Sequence, residues 1–341
     1  MPSLRSLQHQ INLIHDERTR NLDIGIYKCF NGQKKCTRTF NLNPLYQING
    51  ATLYSNQTSG TPILLIPSHI NKGYIMDLIP EYSFAKKLES CGMSPYLLEW
   101  NDPSYEISHY SEAEYIENIL IPIIDYISAQ HNRKIIILGH CLGGVMALAA
   151  TQILQTKIAG LITVATPWNF HHSSFIYKAN HKIYSLILNN SNGIYIPKEL
   201  IHMMMNWPHI NTTIDKLISI SYSEQIDELF FAVENWLDDN VNMTIPLFKS
   251  CIMKYAIYNQ TYNLEWSVLG EIIDPKRISA PTLNIIPTKD KVVPQKSSEP
   301  LSSLFPNCKT LNLDTGHIGM LITRNYDFAL TISEWAKNYV K

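Results

Sequence analysis

Residues 134–150, KIIILGHCLGGVMALAA, decide the fold. The apolar run that ends at Gly139 is typical of a buried strand, and a largely apolar helix is predicted from Leu142 onward. Cys141 lies at the corner between them, in the pattern Gly-x-Cys-x-Gly. Side chains at 139 or 143 would collide with the neighbouring strand and helix, which explains Gly139 and Gly143. The stretch therefore predicts a tight strand–turn–helix corner that presents a thiol.

The predicted corner would make this thiol more reactive. A helix that begins at Leu142 directs its free amides and its positive dipole end toward Cys141, which favours the thiolate. The Leu142 amide would also supply one half of an oxyanion hole. The alternative is a structural cysteine in a glycine-rich packing corner, because free cysteines often pack as small hydrophobic residues.

The chain on both sides of the corner alternates between strand and helix patterns. Apolar strands separated by helices, as in PILLIPS, SPYLLEW, KIIIL and AGLITVAT, predict a mainly parallel sheet covered on both faces. Asn-Pro and Asn-Gly turn signals before Pro62 predict a leading hairpin. The alternation stops after Phe170 and resumes at APTLNIIPTKD. The predicted divisions are an N-terminal arm and leading hairpin (1–60), the first part of an α/β core (61–170), a helical cap insertion (171–274) and the second part of the core (275–341).

Composition excludes several classes of function. The 341 residues are 45% hydrophobic and 17% charged with a net charge of −1, so no electrostatic footprint for nucleic acid is present. No secretory signal and no run long enough to cross a bilayer is recognisable. The six cysteines show no zinc-ligand spacing, which favours reduced thiols in the cytoplasm. Neither a phosphate-binding glycine loop nor a metal-binding HExxH pattern occurs, so we expect no metal and no nucleotide cofactor.

Two further residues fit a catalytic arrangement with Cys141. Asp290 follows the strand TLNIIPTKD, and His317 follows the strand TLNLDTGH. The order nucleophile, acid, histidine is that of α/β folds with a nucleophile corner, and all three residues follow strand ends. Taken singly, Asp290 could be a turn residue and His317 a packed histidine. Asp314 is the nearest alternative acid, but it is too close to His317 in sequence to be preferred.

The second oxyanion donor is expected in the loop after ILLIP, SHINKGYIMD. The backbone amide of Ile70 or of Asn71 is the candidate. His69 in the same loop is interpreted as structural. His140, beside the nucleophile, is expected to pack with its side chain directed away from the site.

These motifs resemble those of polyhydroxyalkanoate synthases. The resemblance rests on GHCLGG, HINKGYIMDLIPEYSFAKKLESCGMSPYLLEWNDP, VATPWNF, PTLNIIPTKDKVVPQKSS and DTGHIGML, which together cover over half of the chain in the same order. It implies an α/β-hydrolase fold that polymerises (R)-3-hydroxyacyl-CoA with no further cofactor. Cys141 would carry the acyl chain, His317 would be the base, and Asp290 would be the acid that assists deprotonation of the incoming 3-hydroxyl. The sequence departs from the family at His140, where an aromatic residue is common, and at Glu99, where Asp is usual.

The resemblance also suggests partners. The chain lacks the long N-terminal domain of the larger synthases and so resembles the short type. This implies a second synthase subunit or a homo-oligomer as partner, with a polyester granule surface as a further site of contact.

A thiol suits this reaction better than a hydroxyl. Transfer from CoA to Cys141 exchanges one thioester for another, so the acyl group stays activated for attack by a hydroxyl. Two alternatives remain on the same fold: a cysteine-dependent thioesterase or ester hydrolase, and a catalytically lapsed granule-associated binding protein.

Overall fold

An eight-stranded sheet forms the centre of the computed structural model, which describes residues 17–32, 41–172, 193, 195–206 and 210–340. The strands of the described residues are β1 (Pro44–Ile48), β2 (Ala51–Tyr54), β3 (Thr61–Ile66), β4 (Met93–Trp100), β5 (Ile135–His140), β6 (Ile158–Val164), β7 (Tyr195–Ile196), β8 (Met243–Thr244), β9 (Ser267–Val268), β10 (Glu271–Ile272), β11 (Thr282–Pro287) and β12 (Cys308–Leu313). Eight of them form the central sheet, in the order β1-β2-β4-β3-β5-β6-β11-β12.

The sheet is mainly parallel, as the sequence predicts. Strand β3 pairs in parallel with β4 and β5, and the parallel pairing continues through β6 and β11 to β12. The antiparallel part is confined to β1 and β2, with β2 lying against β4. The predicted hairpin is confirmed, because β1 and β2 are joined by a turn at Asn49-Gly50.

Helices cover both faces of this sheet. The helices of the described residues are α1 (Glu17–Gly32), α2 (Phe84–Ser90), α3 (Glu112–Tyr115), α4 (Ile121–His131), α5 (Leu142–Ile153), α6 (Lys198–Asn206), α7 (Ile210–Ser221), α8 (Glu228–Asp238), α9 (Ile245–Ser250), α10 (Gln295–Ser298), α11 (Pro300–Leu304) and α12 (Asp327–Tyr339). A π-helical segment, Ile116–Leu120, joins α3 to α4, and a second, Cys251–Ile257, follows α9.

Alternation along the strands creates two cores. On β5, Ile135 and Ile137 belong to the cluster that also contains the apolar residues of α4 and α5. Ile136 and Leu138 point to the opposite cluster, which contains those of α2 and α12. Successive strand residues face opposite sides of a sheet, so continuous apolar runs are what a sheet covered twice requires.

The described part of 195–274 is mostly helical. It holds α6 to α9, the second π-helical segment and the short strand pairs β7–β8 and β9–β10. Parts of the predicted cap (173–192, 194 and 207–209) and of the predicted arm (1–16 and 33–40) lie outside the described residues. The division of the chain into these units therefore stays a prediction.

Helix α1 packs against α7 rather than against the sheet. A Cβ on Gly25 would lie 2.0 Å from the Leu217 carbonyl oxygen, so the two backbones are in close contact. The Lys28 ammonium caps the end of α7 by donating to the carbonyls of Ser221 and Ser223, at 2.6 and 2.8 Å. This contact ties the N-terminal helix to the helical segment that follows β6.

The carboxyl ends of β3, β5, β11 and β12 all lie at one edge of the sheet, because these strands are parallel. The loops that carry the predicted site residues follow these four ends. Over the ranges described, the structure contains no helix with the length and apolar character needed to span a bilayer.

Candidate active site

The corner at Cys141 is strained. Cys141 has φ 55° and ψ −124°, and α5 begins at the next residue. A non-glycine residue in this region costs about 1–3 kcal/mol and persists only where the surroundings enforce it. Here the Cys141 amide donates to the Val164 carbonyl at 2.9 Å, and its carbonyl accepts from the Gly144 amide at 2.9 Å. The backbone thus holds the thiol at the carboxyl edge of the sheet.

The corner needs the predicted glycines. A Cβ on Gly139 would lie 2.4 Å from the Gly144 Cα, and one on Gly143 would lie 2.3 Å from the Ile66 carbonyl oxygen. Gly144 is equally constrained, since its Cβ would come within 1.9 Å of the Thr166 hydroxyl oxygen. Helix α5 therefore approaches β5, the end of β3 and the loop after β6 closely, and glycines leave the room for these contacts.

His317 and Asp290 form a hydrogen-bonded pair beside this corner. The His317 Nδ1 donates to the Asp290 Oδ2 at 2.6 Å, and the Asp290 side chain is fully buried. The other oxygen of Asp290 accepts from the amides of Val292 and Val293 at 2.8 and 2.9 Å. These amides fix the carboxylate, and the carboxylate orients His317 through Nδ1, which leaves Nε2 as the nitrogen that bonds to Cys141.

The electrostatics of His317 are set by Cys141 and Asp290. Burial acts to lower the pKa of His317, but the Cys141 sulfur and the Asp290 carboxylate outweigh it and raise the pKa to about 10. Hydrogen bonds from the imidazole to both partners contribute to this shift. The structure thus brings the three residues predicted from sequence into one cluster.

Asp314, the alternative acid, lies away from this cluster. Its side chain is 78% exposed and pairs with the Lys289 ammonium at 2.8 Å. The structure therefore places Asp290 beside His317 and leaves Asp314 at the surface.

A cavity of about 210 Å³ opens onto the thiol. Both candidates for the second oxyanion donor, Ile70 and Asn71, line it, while Leu142 follows Cys141 at the start of α5. Further lining residues are Pro67, Ser68, Lys72, Ile75, His202, Trp236, Leu237, Asn240, Val292 and Ile318. Although several lining residues are polar, most of the wall surface is apolar, which favours an acyl chain over water.

The prediction for His140 is wrong. Its side chain lines the cavity together with Cys141 and His317, and its ring lies 4.8 Å from that of His317. The His140 Nε2 donates to the His317 carbonyl at 3.0 Å. Burial and the nearby charge of His317 lower the pKa of His140 to about 3, which favours its neutral form. His140 therefore holds the backbone of His317, a role that sequence reasoning missed.

His69 is a packed histidine, as interpreted from the sequence. Its ring lies between Trp100 and Tyr115, at centroid distances of 4.6 and 4.5 Å. Burial lowers the pKa of His69 to about 4, so it packs as a neutral ring. Within the ranges that the structure describes, no cluster of three or more His, Cys, Asp or Glu side chains is arranged to hold a metal ion.

The comparisons with known proteins agree with this architecture. The family model of the alpha/beta hydrolase fold matches residues 114–322, so the chain belongs to the α/β-hydrolase fold family. The predicted fold class is thereby confirmed. Similar folds occur in a serine hydrolase from Cycloclasticus zankles (TM-score 0.54, 13% identity, 87% of this chain and 98% of that one). The thioesterase domain from the curacin biosynthetic pathway is similar too (TM-score 0.52, 14% identity, 87% of this chain and 98% of that one).

The chain is also similar in sequence to poly(3-hydroxyalkanoate) polymerase subunits, which confirms the resemblance found from the motifs. The chain is 26% identical to the poly(3-hydroxyalkanoate) polymerase subunit PhaC of Allochromatium vinosum, over 80% of each chain. It is 23% identical to PhaC of Haloarcula marismortui and 25% identical to PhaC of Haloferax mediterranei, over 84% and 80% of this chain. It spans only 62% and 58% of the length of these two relatives.

Proposed function

We propose that this protein is an acyltransferase that polymerises (R)-3-hydroxyacyl-CoA into polyhydroxyalkanoate through a thioester on Cys141. The observation that carries the proposal is a cysteine, rather than a serine, at a strained nucleophile corner beside the His317–Asp290 pair. The similarity to PhaC polymerase subunits supports the choice of substrate. The roles of the individual residues are part of the proposal.

In the first step, the Cys141 sulfur attacks the carbonyl carbon of the CoA thioester. His317, whose raised pKa favours its charged form, holds the thiol proton during this attack, and the amides of Leu142 and the Ile70–Asn71 loop bind the oxyanion that forms. The carbon–sulfur bond to CoA then breaks, and the proton on His317 passes to the leaving thiolate. The products are free CoA and an acyl group on Cys141, with one thioester formed for the one broken.

In the second step, the 3-hydroxyl of an acyl unit attacks the Cys141 thioester. His317 removes the hydroxyl proton, while Asp290 keeps the imidazole in the correct tautomer and stabilises its charge. An ester bond forms, the carbon–sulfur bond to Cys141 breaks, and the thiol recovers a proton from His317. Conversion of a thioester into a more stable oxoester drives the chain forward.

The test is an assay of the purified protein with 3-hydroxybutyryl-CoA. We expect CoA release together with insoluble polyester, and Cys141→Ala should abolish both. Release of CoA with monomeric hydroxy acid as the sole product would replace the synthase by a thioesterase. Equal, slow release by the parent and by Cys141→Ala would mean that the site is catalytically lapsed.

The proposal extends to partners. The short-type synthases that the sequence resembles suggest a second subunit or self-association, and the product suggests contact with a polyester granule in the cytoplasm. The hydroxyacyl-CoA is proposed to act without any further cofactor. The same assay, run with candidate subunits added, tests the partner through an increase in the rate of polymer formation.

A further inference from the structure

The loop after β3 is held by a segment far along the chain, residues 236–241. The Trp236 indole Nε1 donates to the Lys72 carbonyl at 2.6 Å. The Val241 amide donates to the Ile70 carbonyl at 3.2 Å. Two backbone carbonyls of the loop that carries the candidate oxyanion donors are therefore occupied by one segment.

An asparagine pair lies between these two contacts. The Asn71 side-chain amide donates to the Asn240 side-chain carbonyl, although the two residues are 169 positions apart. The backbones form an isolated antiparallel bridge at the same residues. Asn240 is itself oriented, because its Nδ2 donates to the Leu237 carbonyl at 2.8 Å. The buried Asn240 side chain thus has one orientation, with its oxygen toward Asn71.

These contacts set the direction of the Asn71 amide. The described residues contain no cis peptide bond, so the Ile70 carbonyl and the Asn71 amide point in opposite directions. The Ile70 carbonyl points to Val241, and the Asn71 amide therefore points away from residues 236–241. Ile70, Asn71 and Cys141 line the same cavity. Of the two candidates from the sequence, the geometry favours Asn71.

We propose that Asn240 is a positioning residue that sets the Asn71 amide as the second oxyanion donor, opposite the Leu142 amide. The inference rests on the proposed role of Cys141 as nucleophile. It adds a residue from outside the sheet whose side chain acts through Asn71 and does not have to contact the substrate. An oxyanion donor acts only if it is fixed before the charge develops, and this is what a hydrogen-bonded asparagine pair provides.

The loop has other supports, so loss of Asn240 should leave it folded. The Lys72 ammonium donates to the Trp100 carbonyl at 3.0 Å, and the Gly73 amide donates to the Glu99 carboxylate at 3.1 Å. The Trp100 indole in turn donates to the Pro67 carbonyl at 3.2 Å. We therefore expect Asn240 to affect the orientation of one peptide unit rather than the fold.

The test compares binding of a transition-state analogue with binding of substrate. The probe is the trifluoromethyl ketone analogue of 3-hydroxybutyryl-pantetheine, whose carbonyl carbon bonds to the Cys141 sulfur while the thiol proton passes to His317. The adduct carries an oxyanion, whereas the substrate in its ground state does not. Asn240→Ala should weaken inhibition by the ketone about 10- to 100-fold and lower kcat similarly, with KM within about twofold of the parent value.

Variants of neighbouring asparagines provide the controls. Asn242→Ala removes a similar side chain, which accepts from the Lys198 amide at 2.9 Å and lies two residues from Asn240, and it should leave ketone binding unchanged. Asn240→Asp keeps an acceptor for Asn71 and should recover most of the affinity. Asn71→Ala combined with Asn240→Ala should lose no more than either change alone, because both remove the same contact.

The outcomes separate this inference from the proposed function. Parent-like ketone binding by Asn240→Ala, or additive losses in the double variant, would overturn the role of Asn240. A parent protein that forms no adduct on Cys141 would overturn the proposed nucleophile, and with it both proposals. A protein that hydrolyses acyl-CoA without making polymer would still bind the ketone, so that result would remove the synthase proposal and leave the role of Asn240 supported by the ketone series.

Discussion

Substitution of Gly143 by alanine tests whether the nucleophile corner is as tightly built as its geometry indicates. The added Cβ would lie 2.3 Å from the Ile66 carbonyl oxygen and 2.4 Å from that of Pro67. Ordinary carbon–oxygen contacts are about 3.3–3.6 Å, so each overlap is about 1 Å. Both clashing atoms are backbone, and no side chain can rotate to relieve them. Either the start of α5 or the end of β3 must therefore move.

Two opposing effects determine how much Gly143→Ala changes the free energy of unfolding. Overpacking a rigid core costs about 1–3 kcal/mol, occasionally more. Alanine in place of glycine in a helix recovers up to about 1 kcal/mol. We therefore expect Gly143→Ala to lower the free energy of unfolding by about 1–2 kcal/mol. Because Pro67 begins the loop that leads to Asn71, the same movement should separate the two oxyanion donors and slow acylation of Cys141 about 100-fold.

Two measurements check this prediction, with Gly316→Ala as the matched control. A Cβ on Gly316 meets no atom within 4 Å, so its free energy of unfolding should change by less than about 0.5 kcal/mol. Urea unfolding measures the stability of each variant, and mass spectrometry of single-turnover samples measures acyl-Cys141. The reasoning would be refuted if Gly143→Ala unfolded at the parent urea concentration and acylated at the parent rate.

Three further predictions concern the residues around the thiol. Asp290→Asn should lower the pKa of His317, which Cys141 and Asp290 together raise to about 10, and NMR titration of the imidazole measures the change; an unshifted titration would contradict the reasoning. A raised folded-state pKa stabilises the fold fully below about pH 6.5, and this stabilisation is lost as pH rises through about 10. The variant lacks the share that Asp290 gives, so it should be more destabilised relative to the parent at about pH 6.5 than at about pH 10. His140→Phe removes the donor to the His317 carbonyl and should lower kcat about tenfold with KM unchanged. His140→Gln retains a donor and should keep most of the activity, so equal rates for the two variants in steady-state assays would exclude the backbone contact as the cause. Cys141→Ser should still accept an acyl group slowly but should not pass it on efficiently, because its oxoester is less activated than a thioester. Mass spectrometry should therefore find an acyl-enzyme that persists when more hydroxyacyl-CoA is added.

Much of the sheet and the thiol–imidazole–carboxylate cluster was predictable from local patterns. Buried parallel strands must be apolar on both faces, which makes them visible as runs such as the one before Gly139. Parallel strands also bring their carboxyl ends to one edge, so chain order alone brings Asp290 and His317 near Cys141. These inferences need only periodicity and topology, and the sequence contains both.

The orientation of His140 was predicted wrongly although a signal for it exists. Side chains alternate along β5, so His140 lies on the same face as Ile136 and Leu138. That face packs against α12 and lies next to the loop that carries His317. Alternation along β5 predicts the contact between His140 and His317 only if it is known which helix covers which face of the sheet. That in turn depends on packing between distant parts of the chain.

The packing of α1 on α7 has no local signal at all. An amphipathic helix indicates that one of its faces is covered, but its periodicity does not identify the partner. The contact between Gly25 and Leu217 joins residues almost two hundred positions apart, and only the close approach of the backbones explains the glycine.

The two proposed supports of the oxyanion site can be separated because they differ in rigidity. The Gly143 corner is backbone packed on backbone, so a change there should alter stability and acylation together. The contact between Asn71 and Asn240 is one side-chain hydrogen bond on a loop that has other anchors, so a change there should alter oxyanion binding and leave unfolding nearly unchanged. Gly143→Ala should therefore lose both ketone affinity and unfolding free energy, whereas Asn240→Ala should lose ketone affinity alone. If both variants lost ketone affinity in proportion to their loss of stability, the weaker oxyanion binding would follow from general destabilisation, and Asn240 would have no positioning role of its own.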